Sequence, residues 1–366
     1  MADAEKLLLS GMAALERGSE AEARNLYVEA REAAGSGEFP GVTDPDALYF
    51  AGLACGQLAE DPFPIMKRAV RAYEARDVPS LRGARAYETL GYFLQSSGDS
   101  LRAGEAMMRA QGMYSRLYGY SSHESNAAYN AGVSFQLGED YERSLAAFDL
   151  AKSVSDVLPG FDLGHAIIEL SRSDVLLRVG RSVEAEEGFR LAVSEFSSVP
   201  GNELLILEAR FGVGRALVAQ ERYEEGVKEL YDVANNTAEI AETHFRMGTD
   251  ESALVGYNAA ETSARAHHQL AVGYAQLGRL HDAYTAMNIA ASSYDAMEDV
   301  FGAAHCRGLV GDICAESGDI MGARKNFTLA IEMLEKAEDE ALGYGLPPAA
   351  AQDLEEFRAK LKAVSG

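Results

Sequence analysis

Cationic side chains are in deficit: 33 Lys and Arg stand against 57 Asp and Glu in 366 residues, a formal net charge of −24. A surface of that sign repels phosphate, which argues against a nucleic-acid binder. Cysteine is scarce, and Cys55, Cys306 and Cys314 make an odd count. If Cys306 and Cys314 share a helix, their eight-residue separation puts them about 12 Å apart, beyond disulfide reach. Reduced thiols in a cytoplasmic protein are the expectation. No apolar run approaches the roughly 18 residues of a membrane span, and the first residues lack the basic start and long apolar stretch of a secretory signal. Hydrophobic residues at 47% and charged residues at 25% exclude a disordered chain. A phosphate-binding loop, a dinucleotide fingerprint and a Gly-x-Ser-x-Gly elbow are also missing, so no cofactor is expected. Ser122, His123 and Glu124 are adjacent only in sequence, whereas a catalytic triad converges in space. His267 and His268 would project about 100° apart on a helix. His305-Cys306 with Cys314 lacks the paired short spacings of a zinc site. Neither a metal nor catalytic residues are expected, and the chain reads as non-enzymatic.

What is present is a repeat. Steps of 12, 4 and 3 residues from Gly91 reach Ala103, Met107 and Ala110. The same steps from Gly132 reach Ser144, Phe148 and Ala151, and from Ser173 they reach Ala185, Phe189 and Ala192. Gly214, Ala271, Gly311 and Gly11 begin the same small–small–large–small series. The pattern fits a helical hairpin. The first small residue lies on a first helix where the second crosses closely, the second small residue faces it, and the large one fills the space beyond. Between them falls a turn marked by Gly18, Gly98, Gly138, Gly180, Gly278 and Gly318, each expected to end the first helix in the left-handed conformation. Acidic residues after several of these glycines, as in Glu139-Asp140 and Asp319, suit the start of the second helix.

First helices are amphipathic, with Tyr87, Leu90, Gly91 and Leu94 at helical spacing. Leu90-Gly91, Leu94, Gly98, Ala103 and Ala110 resemble the tetratricopeptide repeat (TPR) family at the places of its consensus. The starts are 41 residues apart rather than the usual 34. That is similar to the long-repeat branch of kinesin light chains and of bacterial regulators related to the maltose activator. The resemblance implies an all-α fold: a right-handed superhelical solenoid of about eight hairpins with a C-terminal capping helix, forming a single domain over 1–366. First helices are expected to begin near 1, 43, 82, 123, 163, 203, 253 and 302, with the last helix over 347–364. Asp61-Pro62-Phe63-Pro64 makes the second repeat degenerate. Gly214 and Ala271 are 57 residues apart, so extra residues near His244–Ser252 form either a loop or lengthened helix ends.

In this family the first helices line a groove that holds the ligand. Positions six, three and two before the first small residue, and one after it, should face that groove. They select Arg85, Tyr92, Asn126, Tyr129, Asn130, Arg215, Arg265, His268 and His305. Asn amides suit the backbone of an extended peptide, and Arg forks onto a carboxylate. The heat-shock carboxylate clamp of related repeats also needs lysines that are missing here. The expected function is a protein- or peptide-binding scaffold. Its partner would be a protein or extended peptide, acidic or ending in a carboxylate, and neither nucleic acid nor membrane. The alternative is a sensor of a signalling peptide or small effector, with its output domain on another chain.

Overall fold

The computed structural model describes residues 2–58, 61–341 and 345–365, without the side chains of Ala2 and Gln57. Residue 1, the expected start of the first helix, lies outside them. Among the described residues are seventeen helices and no strand. The chain divides into two compact units, Met1–Val175 and Leu176–Gly366.

In the first unit, helices pair as α1 (Ala2–Glu16) with α2 (Glu20–Ala34) and α3 (Pro45–Gln57) with α4 (Phe63–Ala75). Then α5 (Leu81–Ser96) pairs with α6 (Ser100–Tyr118) and α7 (Ser122–Leu137) with α8 (Tyr141–Ser155), followed by α9 (Asp162–Arg178). In the second unit α10 (Ser182–Ser198) precedes the pairs α11 (Glu203–Ala219)/α12 (Tyr223–Met247) and α13 (Asp250–Gln276)/α14 (Leu280–Ala296). The pair α15 (Val300–Glu316)/α16 (Ile320–Glu340) is covered by α17 (Pro348–Ala363).

The repeated residues form the joints of these pairs. Ser144 Oγ donates to the Gly132 carbonyl at 2.8 Å, so the two small positions do face each other. The large residue does more than fill space beyond the crossing, because it packs directly against the first glycine. A Cβ on Gly132 would stand 2.7 Å from the Phe148 ring, and Gly91, Gly214 and Gly311 receive Met107, Leu230 and Phe327 in the same way. Gly11 departs from this, since Phe50 of α3 covers it instead of Tyr27. Phe148, Phe189 and Phe327 are almost wholly buried. Each ring buried this way contributes on the order of 2 kcal/mol.

Of the six expected turn glycines, five adopt positive φ: Gly18, Gly98, Gly180, Gly278 and Gly318. Gly138 does not, with φ at −85°. The left-handed position falls seven residues after the first small residue, and in this repeat that residue is Glu139, at φ 59°. Gly138 is small for another reason, since a Cβ there would stand 2.5 Å from Leu101. Asp140 and Asp319 then cap α8 and α16, accepting from the backbone N–H of Arg143 at 3.0 Å and Gly322 at 2.9 Å.

The second hairpin keeps the joint in a shorter form. Gly52 receives Met66, fourteen residues on rather than sixteen, and α3 and α4 have 13 residues each. The extra residues of the second unit are helical: α12 and α13 run to 25 and 27 residues. Gly248 at φ 67° and a capping box between Thr249 and Ser252 close the tip. The three thiols are buried and none is in a disulfide. Burial pushes the Cys306 thiol up to about 12, which makes it a packing residue rather than a nucleophile.

Candidate functional site

In the first unit, Arg85, Glu88, Thr89 and Tyr92 share one face of α5, opposite the buried Tyr87, Leu90 and Leu94. Asn130 of α7 donates its amide to the Tyr92 hydroxyl at 3.1 Å. At the preceding position, the Tyr129 hydroxyl lies 3.2 Å from Ser171 Oγ of α9, and its ring leans on Phe148. Gln136 donates to Asp174 at 3.0 Å. From the same face of α5, Thr89 hydrogen-bonds Tyr49 of α3, and Glu88 accepts from Tyr114 of α6 at 2.7 Å. Partial burial, helped by the Glu88 charge, holds the Tyr92 hydroxyl above its ordinary value, so it stays protonated. The result is a strip of hydroxyls and amides across the first helices α3, α5, α7 and α9, with Arg85 and Asn126 exposed on it.

The equivalent faces in the second unit carry charge and rings. The Arg265 and Arg215 guanidiniums lie 4.7 and 5.5 Å from the Phe211 ring centre, within cation–π range. Arg265 also reaches Glu208 at 3.5 Å, and Thr262 hydrogen-bonds the same carboxylate. The His268 and His305 rings meet edge to face at 5.6 Å. His305 Nδ1 lies 2.8 Å from Asp353 of α17. Burial, and secondarily the neighbouring His305, pushes His268 down to about 4, so it is neutral at pH 7. Among the described residues no three His, Cys, Asp or Glu gather as a metal would require.

The nine residues selected from sequence thus fall into separate clusters. Tyr92 joins Asn130, Arg215 and Arg265 share a ring, and His268 meets His305, while Tyr129 turns to Ser171. Glu88, Thr89, Ser171, Asp174 and Glu208 complete these clusters and were not among the nine. Each occupies one of the four selected offsets from a first small residue, so the signal was there. These carboxylates and hydroxyls hold the cations, amides and aromatics that face them from neighbouring helices.

No sequence-family model matches the chain, and no curated protein matches its sequence. Solved structures do match. Aspartyl phosphate phosphatase F from Bacillus subtilis is 12% identical, over 99% of this chain and 93% of its own, with a TM-score of 0.51. A tetratricopeptide repeat protein from Parabacteroides merdae is 14% identical, over 88% of this chain and 99% of its own, with a TM-score of 0.50. The chain has the tetratricopeptide-repeat fold. A Podosopora anserina protein with nearly identical TPR-like repeats of kinesin-light-chain type is 13% identical, covering 59% of this chain and 96% of its own, at a TM-score of 0.46. In TPR terms α3, α5 and α7 are A helices and α4, α6 and α8 are B helices. No described helix is long and apolar enough to cross a membrane.

Proposed function

We propose that this TPR chain is a non-enzymatic protein-binding scaffold whose A-helix face in Met1–Val175 receives an extended peptide segment. The observation that carries this reading is the run of hydroxyls and amides on α3, α5, α7 and α9, tied across neighbouring helices by Tyr92–Asn130 and Tyr129–Ser171. Amides offer a donor and an acceptor together, which an extended backbone needs on each side. Exposed Arg85 supplies a fork for a carboxylate, either an acidic side chain or a free C-terminus. In the second unit Arg265 and His305 are engaged by Glu208 and Asp353, which supports a stiffening role there with Arg215 and His268 beside them.

The test is fluorescence anisotropy with extended peptides that carry either a free or an amidated C-terminus. A combined Arg85→Ala, Asn126→Ala and Asn130→Ala variant is expected to bind at least tenfold more weakly and to lose any preference for the free carboxylate. Unchanged affinity in that variant, with its helical content intact, would reject the reading.

A further inference from the structure

The first unit also has an apolar cavity that is not on the A-helix strip. It lies on the B-helix side, where cavities of about 590 and 450 Å³ share Glu74, Tyr87, Met108 and Arg109 and so form one groove. Its floor is Tyr87, Leu90 and Leu94, the α5 face turned away from Arg85 and Tyr92. Phe63 of α4 and Met108 and Met113 of α6 line its sides, and Phe135 of α7 closes one end.

The charge around this groove runs against that of the chain. Lys67, Arg102, Arg109, Arg116 and Arg143 line it against only Glu74, Asp77 and Glu105, whereas acids outnumber bases 57 to 33 overall. Two of those carboxylates are already engaged, as are two of the cations, Arg143 by Asp140 at 2.7 Å and Arg102 by Asp99 at 3.1 Å. Glu74 accepts the Tyr87 hydroxyl, and Glu105 pairs with Arg143 at 3.1 Å. Lys67, Arg109 and Arg116 are exposed along the rim, Lys67 lying 4.8 Å from the Phe63 ring centre. From Arg102 to Arg116 the rim follows α6 for about 21 Å, the length of roughly four helical turns.

We propose that this groove is a second docking site, taking an acidic amphipathic helix from a partner protein. An extended strand would bring unsatisfied backbone groups onto an apolar floor. A helix bonds its own backbone and offers an apolar stripe at i, i+3 and i+7. Acidic residues flanking that stripe would face Lys67, Arg109 and Arg116, giving a salt-sensitive contact. Because the groove and the A-helix strip lie on opposite faces of α5, the two sites are independent.

The test is anisotropy on the full chain with a labelled 16-residue helix that bears Leu and Phe at i, i+3 and i+7 and Glu elsewhere. Its controls are the Lys-for-Glu counterpart and oleate as a non-peptide carboxylate. The acidic helix is expected to bind at least tenfold tighter than the basic one and to weaken with salt. Lys67→Glu with Arg109→Glu, both exposed and checked by circular dichroism, should reverse that preference, as should Arg109→Glu with Arg116→Glu. The A-helix variant Tyr92→Phe/Asn130→Ala should leave this binding unchanged even if the reading of the A-helix strip fails. Equal binding of the two helices would overturn the proposal, as would indifference to both double variants. So would oleate binding where neither helix binds, or a dimer in sedimentation equilibrium that these variants dissolve.

Discussion

The A-helix faces of the two units sit on the same scaffold and carry different chemistry. In Met1–Val175 neutral hydroxyls and amides meet across α5, α7 and α9, as in Tyr92–Asn130 and Tyr129–Ser171, while charge is paired at the α1/α3 end, where Arg82 bridges Glu16 and Asp46. In Leu176–Gly366 the groups that meet are guanidiniums on Phe211, a carboxylate at Glu208, and the His268–His305–Asp353 chain. The same joint recurs beneath both. Gly132 on Phe148 and Gly311 on Phe327 are the same contact. Helix packing therefore sets the spacing of the rows, and the solvent-facing offsets are left to be filled with any chemistry. A neutral strip exchanges hydrogen bonds with an incoming backbone at low desolvation cost, whereas paired charges hold each other in place.

That contrast makes the second unit the pH-sensitive one. His268 titrates near 4 in the folded chain against 6.5 ordinarily, so the unfolded chain binds the extra proton first as pH falls. Stability from this group is complete above about pH 6.5 and is lost as pH drops toward 4, by about 3 kcal/mol at most. Urea unfolding at pH 7, 5.5 and 4 should show that loss in the wild type and a much flatter profile in His268→Phe. An unchanged profile in the variant would remove the asymmetry between the units.

A smaller effect should be common to both. Glu139 in the first unit and Glu221 in the second hold positive φ, at 59° and 61°. Glu139→Gly and Glu221→Gly are each expected to stabilise by about 0.5–1 kcal/mol, the strain relieved exceeding the added freedom of the unfolded chain. Thermal melts that separate the two variants would show that the turns, and not only the faces, differ. The smallest effect belongs to Tyr92→Phe. The bond to Asn130 is solvent-accessible, so its loss should cost about 0.5 kcal/mol or less in stability. Chemical denaturation of the variant measures this directly.

The hairpin repeat was legible because its cause is local and periodic. Small residues are required wherever two axes approach, and Gly91, Gly132, Gly214 and Gly311 recur at the same offset from their large partners. The misassigned turn at Gly138 shows where such reading slips. Glycine marks either a left-handed backbone or a crowded Cβ, and only the neighbouring Leu101 tells the two apart. The lengthened α12/α13 tip was visible as surplus length, but its helical form depended on the cap at Thr249–Ser252. The groove of the first unit left no linear trace. Its residues come from five helices, and nothing in their spacing shows that they line one depression.

That helices pair, and where their axes come close, is written in the chain, because both follow from side-chain size and a period of 3.6 residues. Which polar groups meet depends on the packed fold: Asn130 with Tyr92, Arg265 with Glu208, His305 with Asp353. The packed fold also decides that the cations of α4 and α6 gather around one apolar trough. Those outcomes depend on the register of helices distant in sequence, fixed by the packing of whole side chains and not by any local pattern.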